Sequence, residues 1–154
     1  MTSSLRERLG RIFRNTPPDM QVAALCRNAR DGKILLVTSR GTGRWIVPKG
    51  WPMPGKSLAD AAAQEAWEEA GVRGRVAQTP IGTYSYEKQQ DRGFAIPVDV
   101  RLFLLEVDEL SDDFPEAEQR KRRWYTPERA AEMVAEKGLR KFLRSMPSGP
   151  GPQV

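Results

Sequence analysis

The chain has no histidine and a single cysteine, Cys26, among its 154 residues. Without histidine, Ser-His-Asp and Cys-His catalysis are excluded, as is histidine-ligated zinc. Acid–base chemistry then falls to carboxylates, lysine, tyrosine or metal-bound water. One cysteine cannot form an internal disulfide, and Cys26 closes the apolar stretch Val22 to Cys26, where a buried strand thiol is expected rather than a nucleophile. No apolar run approaches the roughly 20 residues that span a bilayer. The opening stretch MTSSLRERLGRIFRN is charged throughout and lacks a small-residue cleavage site. A soluble protein with no membrane partner and a cytoplasmic location is therefore expected.

What is present in quantity is charge: 29% of residues are charged against 39% hydrophobic, with a net charge of +5. That balance suits one globular domain, and the positive excess favours an anionic partner. Residues 1–18 read as an N-terminal extension, with Leu5, Leu9 and Phe13 spaced for a short amphipathic helix; 19–146 read as the domain and 147–154 as a flexible tail.

Within the domain, Gln21 to Arg27 and Lys33 to Thr38 are two apolar runs joined through Asp31-Gly32, a hairpin signal. Trp45 to Val47 reads as a third strand, followed by a Gly/Pro loop from Gly50 to Gly55. Ser57, with Asp60 three residues on, marks a helix start, and the Ala-rich run reaches Ala70 before a capping Gly71. Val76 to Tyr86 and Ile96 to Val107 are expected as strands, Asp108 to Glu118 as a loop and Arg122 to Tyr125 as a short strand. Thr126-Pro127 opens a helix reaching about Lys137, and Leu139 to Met146 forms a further helical segment. Strands, helix, strands and a last helix predict an α/β fold with a mixed sheet flanked by helices.

On the Ala-rich helix, Glu65, Glu68 and Glu69 fall at i, i+3 and i+4 and so share a face. Three like charges repel unless a cation relieves them, and Mg²⁺ prefers such oxygen ligands while keeping room for waters and phosphates. A solvated acidic face is the plain alternative, but a strand, a Gly-rich loop and a capped helix surround this one. Gly50-Trp51-Pro52-Met53-Pro54-Gly55-Lys56, followed by Gln64-Glu65-Ala66-Trp67-Glu68-Glu69-Ala70-Gly71-Val72, resembles the Nudix box G-x5-E-x7-R-E-U-x-E-E-x-G-U, U being aliphatic. Lys56 stands where the pattern has Glu and Gln64 where it has Arg, positions that form a salt bridge in the family. A Lys56–Gln64 hydrogen bond is the expected substitute, with Glu65 held more loosely. Arg44-Trp45-Ile46-Val47-Pro48-Lys49-Gly50 and Arg120-Lys121-Arg122-Arg123-Trp124-Tyr125 extend the likeness over roughly residues 20 to 145 and resemble the diphosphoinositol polyphosphate phosphohydrolase branch.

The resemblance implies a Nudix-like α/β/α sandwich and a pyrophosphohydrolase dependent on Mg²⁺ or Mn²⁺. Its substrate would be a diphosphoinositol polyphosphate or a dinucleoside polyphosphate, both densely anionic small molecules. It further implies that Glu65, Glu69 and the Gly50 carbonyl bind the metal and that Glu68 takes the proton from the attacking water. Arg40, Arg44 and Lys49 are candidates to grip phosphates from the loop edge, and Lys88 and Arg120 match substrate-contacting positions; each is equally consistent with a solvated surface charge. Trp45, Tyr84 and Tyr86 are expected to pack, whereas Trp51 is expected to stack on a base or cover the helix. Two other readings compete: a Nudix-like module that binds a phosphorylated ligand without turnover, and an RNA 5′-end pyrophosphohydrolase. The latter ranks last, because no ordered array of exposed aromatics supports nucleic-acid binding.

Overall fold

The run Val22-Ala23-Ala24-Leu25-Cys26 has no polar side, as befits a strand covered on both faces. In the computed structural model, which describes residues 19–90 and 93–146, it is fully buried within β1 (Met20–Arg27). The helix expected over Leu5–Phe13 and the tail over 147–154 lie outside the described residues. Beside β1, in parallel, runs β7 (Ala95–Leu110), the longest strand; every other pairing is antiparallel, so the sheet is mixed. The other partners of β7 are β6 (Gly82–Gln89) along its first half and β5 (Val72–Val76) along its second. On its far side β1 meets β2 (Ile34–Thr38) only at Arg27–Ile34, and pairs at Val22 and Ala23 with the two-residue β4 (Lys49–Gly50). β3 (Trp45–Ile46) and β8 (Arg122–Tyr125) both pair with β2.

Helices cover the two faces. α1 (Leu58–Ala70) lays Ala59, Ala62, Ala66 and Ala70 on the face carrying Val22, Ala24, Cys26, Phe103 and Leu105. α2 (Pro127–Met133) and α3 (Lys137–Arg144) pack Ala130, Ala131, Leu139 and Leu143 against Ala23, Leu25, Val98, Val100 and Leu102. This is the α/β/α sandwich that the resemblance implied. Alanine along the inner stripe of α1 allows close approach to the sheet. Cys26 is fully buried, and burial, with a further contribution from Glu69, pushes its thiol up to about 12, so it is an inert core residue.

Three expected elements differ. The strand expected over Val76–Tyr86 is two strands, because β5 and β6 share one edge of β7 and the chain must step out and return between them, through a stretch containing Pro80. β7 continues to Leu110, three residues past the expected Val107, because β5 pairs with it there. The helix expected to reach Lys137 stops at Met133: Val134 is extended, buried in the core and bridged to Trp45, and α3 starts only at Lys137.

Candidate active site

An open cleft of about 1070 Å³ runs from α1, past β4 and β6, to the α2–α3 junction. α1 is held at both ends. The Ser57 hydroxyl accepts from the Asp60 N–H at 3.0 Å, and Gly71, in the left-handed region at φ 69°, donates to Trp67 O. With the alanines facing the sheet, Glu65 and Glu69 line the cleft. Glu69 is only 5% exposed, while Glu65 is half-buried and lies directly against Gly50, where a Cβ would overlap its carboxylate. Glu68, also half-buried, lies outside the cleft lining, and its carbonyl accepts the Glu116 N–H at 3.0 Å.

Glu65 and Glu69 stand within hydrogen-bonding range of one another. Burial first, then the hydrogen bond that protonated Glu69 donates to Glu65, pushes Glu69 up to about 8, even though Arg120 opposes the shift; burial also raises Glu65, against the effect of that hydrogen bond. A proton on Glu69 relieves the repulsion between these two carboxylates. Arg120, 8% exposed, sits 3.7 Å from Glu69 Oε1 and 3.0 Å from Glu116 Oε1, and donates to Thr38 O. The backbone N–H of Lys49 reaches Glu69 Oε1 at 3.4 Å.

Among the described residues no three acidic, histidine or cysteine side chains already converge as a metal cage. The donor set nonetheless fits a hard divalent cation: it is all oxygen, carries more carboxylate charge than Arg120 can balance, and is crowded against the Gly50 backbone. Glu65 and Glu69 are the side chains placed to hold it, with Glu116 beside them.

The cationic residues divide. Arg44 is exposed on the cleft rim, its side chain without an ion pair or hydrogen bond among the described residues, and Lys88 is half-buried there. Arg40 is exposed but engages Glu116 at 3.4 Å and Gln119 at 3.0 Å. Lys49 is not a free loop cation: it is 9% exposed, lies 3.3 Å from Glu136 and sits 4.8 Å over the Tyr86 ring. Burial lowers its pKa, with Glu136 opposing. No hydrogen bond joins Lys56 to Gln64, contrary to expectation; Lys56 is exposed and its N–H closes the loop onto Met53 O at 3.2 Å.

Trp45 packs edge-on against Tyr125 at 5.5 Å and Tyr84 is buried, both as expected. Tyr86, expected only to pack, lines the cleft and donates to Gln21 Oε1 at 2.6 Å. Trp51, 45% exposed, lines it too. Sequence reasoning missed Glu116 and Glu136. Glu116 lay in an acidic stretch read as a loop, and Glu136 inside a helix expected to reach about Lys137.

Residues 17–146 match the NUDIX domain. The chain is 37% identical to diphosphoinositol polyphosphate phosphohydrolase 3-alpha of Mus musculus, over 74% of this chain and 68% of that protein. It is 30% identical to Nudix hydrolase 12, mitochondrial, of Arabidopsis thaliana, over 74% of this chain but only 60% of that protein, so it spans less than two thirds of the plant relative. A crystal structure of a C. elegans Ap4A hydrolase binary complex shares the fold, with a TM-score of 0.61 at 22% identity, covering 82% of this chain and 93% of that one. With a carboxylate helix, its glycine-bounded loop and the match over 130 consecutive positions in agreement, the chain belongs to the NUDIX domain family.

Proposed function

We propose that the chain is a divalent-metal-dependent pyrophosphohydrolase. It cleaves a phosphoanhydride in a nucleoside diphosphate derivative, such as a dinucleoside polyphosphate, or in a diphosphoinositol polyphosphate. The observation that carries this reading is the arrangement of one cleft: crowded carboxylates at the α1 end and the cations Arg44 and Lys88 along its rim. A bound Mg²⁺ or Mn²⁺, held by Glu65, Glu69 and the Gly50 backbone, would supply charge neutralisation and polarisation of the phosphoryl group. Arg44 and Lys88 bind phosphate oxygens. Arg120 keeps Glu69 and Glu116 in place, and Arg40 and Lys49 stand at the margins of the phosphate path. Glu68 is assigned as general base through its place in the motif, with its carboxylate next to Glu65. The name of the mouse relative supports the inositol-based substrate. A cytoplasmic location and a domain spanning 19–146 belong to the same proposal.

The second reading, a module that binds without turnover, draws on the untied Lys56 and Gln64. One experiment separates the two: phosphate release from diadenosine polyphosphates, nucleoside triphosphates and diphosphoinositol polyphosphates, with Mg²⁺ or Mn²⁺, for wild type, Glu68→Gln and Glu69→Gln. Metal-dependent turnover lost in both variants supports the hydrolase; tight binding without turnover of any substrate replaces it with the binding module.

A further inference from the structure

The break between α2 and α3 places one carboxylate where a continuous helix would not. Glu136 occupies the N-cap position of α3 yet makes no capping hydrogen bond. Its side chain turns into the cleft wall instead, with Oε2 3.3 Å from Lys49 Nζ and exposures of only 13% and 9% for the two side chains. Its other oxygen, Oε1, is buried, and the buried Tyr84 hydroxyl is the neutral group that faces this carboxylate. Lys49 is thus the one cation within ion-pair range of Glu136 among the described residues. On its other side, Lys49 rests on Tyr86, whose hydroxyl is tied to Gln21.

This arrangement limits what the far end of the cleft can bind. For Lys49 to swing toward a phosphate it must leave Glu136 buried without a counter-charge, faced only by the neutral Tyr84 hydroxyl, and an uncompensated buried charge is unfavourable. A phosphate approaching with the pair intact meets a carboxylate in a partly desolvated wall and is repelled. An uncharged hydroxylated group meets neither penalty.

We infer that Glu136 is a specificity-determining residue that commits Lys49 and so disfavours densely phosphorylated rings at this end of the cleft, favouring a ligand whose phosphates form a linear chain ending in a nucleoside. The inference rests on the phosphoanhydride reading for its substrate classes, but its test uses binding alone.

The full chain, kept in EDTA so that turnover is off, is titrated calorimetrically with inositol hexakisphosphate and with diadenosine tetraphosphate. Glu136→Gln and Glu136→Leu remove the charge with and without a hydrogen-bonding group, and thermal melts verify that each variant is folded. Both should tighten inositol hexakisphosphate by about fivefold or more, and diadenosine tetraphosphate by less than about twofold. Adding Lys49→Met to Glu136→Gln should erase the gain, since the freed cation is then gone. Loss of packing alone weakens binding and does not produce a selective gain. No tightening by either variant, tightening by only one of them, an equal gain for both ligands, or a gain that persists without Lys49 would each overturn the inference. Failure of the hydrolase reading shows separately, as absence of Mg²⁺-dependent turnover in the wild type.

Discussion

The two ends of the cleft handle buried charge in opposite ways. At the far end, Lys49 and Glu136 are a matched pair, one cation to one carboxylate. At the α1 end, Glu65, Glu69 and Glu116 crowd around one buried guanidinium, Arg120, with the exposed Arg40 reaching only Glu116, and the pKa of Glu69 is pushed up to about 8. A matched pair is balanced by the fold itself, whereas a surplus of buried carboxylates stays unfavourable until a cation arrives. The location of the unrelieved repulsion therefore marks the site of chemistry, and the location of the balanced pair marks a wall that shapes the ligand.

The sharpest way to break this contrast is to remove carboxylates one at a time. Glu68→Gln and Glu69→Gln should each lower turnover on the order of 10²–10⁴-fold, measured as kcat with Mg²⁺ in excess. Their effects on the metal-free protein should differ. Glu69→Gln relieves the buried repulsion and should raise the melting temperature at pH 8, while Glu68→Gln, at the edge of the cluster, should leave it nearly unchanged. If both variants stabilise equally, the repulsion is not centred on the Glu65–Glu69 pair.

Titration gives the same contrast a second readout. Glu69 binds its proton more tightly folded, at about 8, than unfolded, near 4.5. Its contribution to stability is therefore fully present below about pH 4.5 and is lost as pH rises through 8. Melts of the metal-free protein should fall by on the order of 5 °C between pH 5.5 and pH 8 relative to Glu69→Gln. Added Mg²⁺ should restore more stability at pH 8 than at pH 5.5, because the cation competes with that proton. A wild-type curve parallel to that of the variant would show that Glu69 titrates normally.

Arg120→Met tests the buried cation of the crowded end. With Glu69 left buried and unbalanced and Glu116 left to the exposed Arg40 alone, the metal-free protein should lose about 3 kcal/mol in urea unfolding, and saturating Mg²⁺ should return part of that loss. An unchanged unfolding midpoint would mean that Glu116 turns to solvent and that the loop, rather than Arg120, holds it.

How legible each end was follows from how local its causes are. α1 could be read in advance because its signals lie within it: Ser57 caps it, Gly71 ends it, and the alanine stripe sets which face Glu65 and Glu69 take. β1 was legible because an unbroken apolar run has no alternative but burial. By contrast, β5 carries two arginines in five residues and a bulge at Arg73/Gly74, so its alternation gives no strand signal; only its pairing with β7 makes it one. Glu136 was hidden for the same reason. The helix break that exposes it to Lys49 arises because Val134 is drawn into the core beside Trp45, a contact nearly ninety residues away in sequence. Arg120 was legible as a basic position, but not as a partner of Glu69 and Glu116.

The smallest expected effect concerns the loop that links the two ends. Lys56 is exposed and makes no bond to Gln64, so the segment from Gly50 to Ser57 is fastened to α1 by the Ser57 cap and by the packing of Gly50 on Glu65. Placing a carboxylate and a guanidinium at these positions, as Lys56→Glu with Gln64→Arg, offers a fork-like ion pair across the loop. Because Lys56 is solvent-exposed, the double variant should gain less than about 1 kcal/mol over the sum of the single changes. It should also bind Mn²⁺ modestly more tightly, since Glu65 follows Gln64 directly and its orientation is fixed when the loop is. A double-mutant cycle on unfolding, run beside Mn²⁺ titration by electron paramagnetic resonance, reads both quantities. Coupling in stability without any change in Mn²⁺ affinity would show that Gly50 alone orients Glu65, and no coupling in either would place the two side chains too far apart to meet.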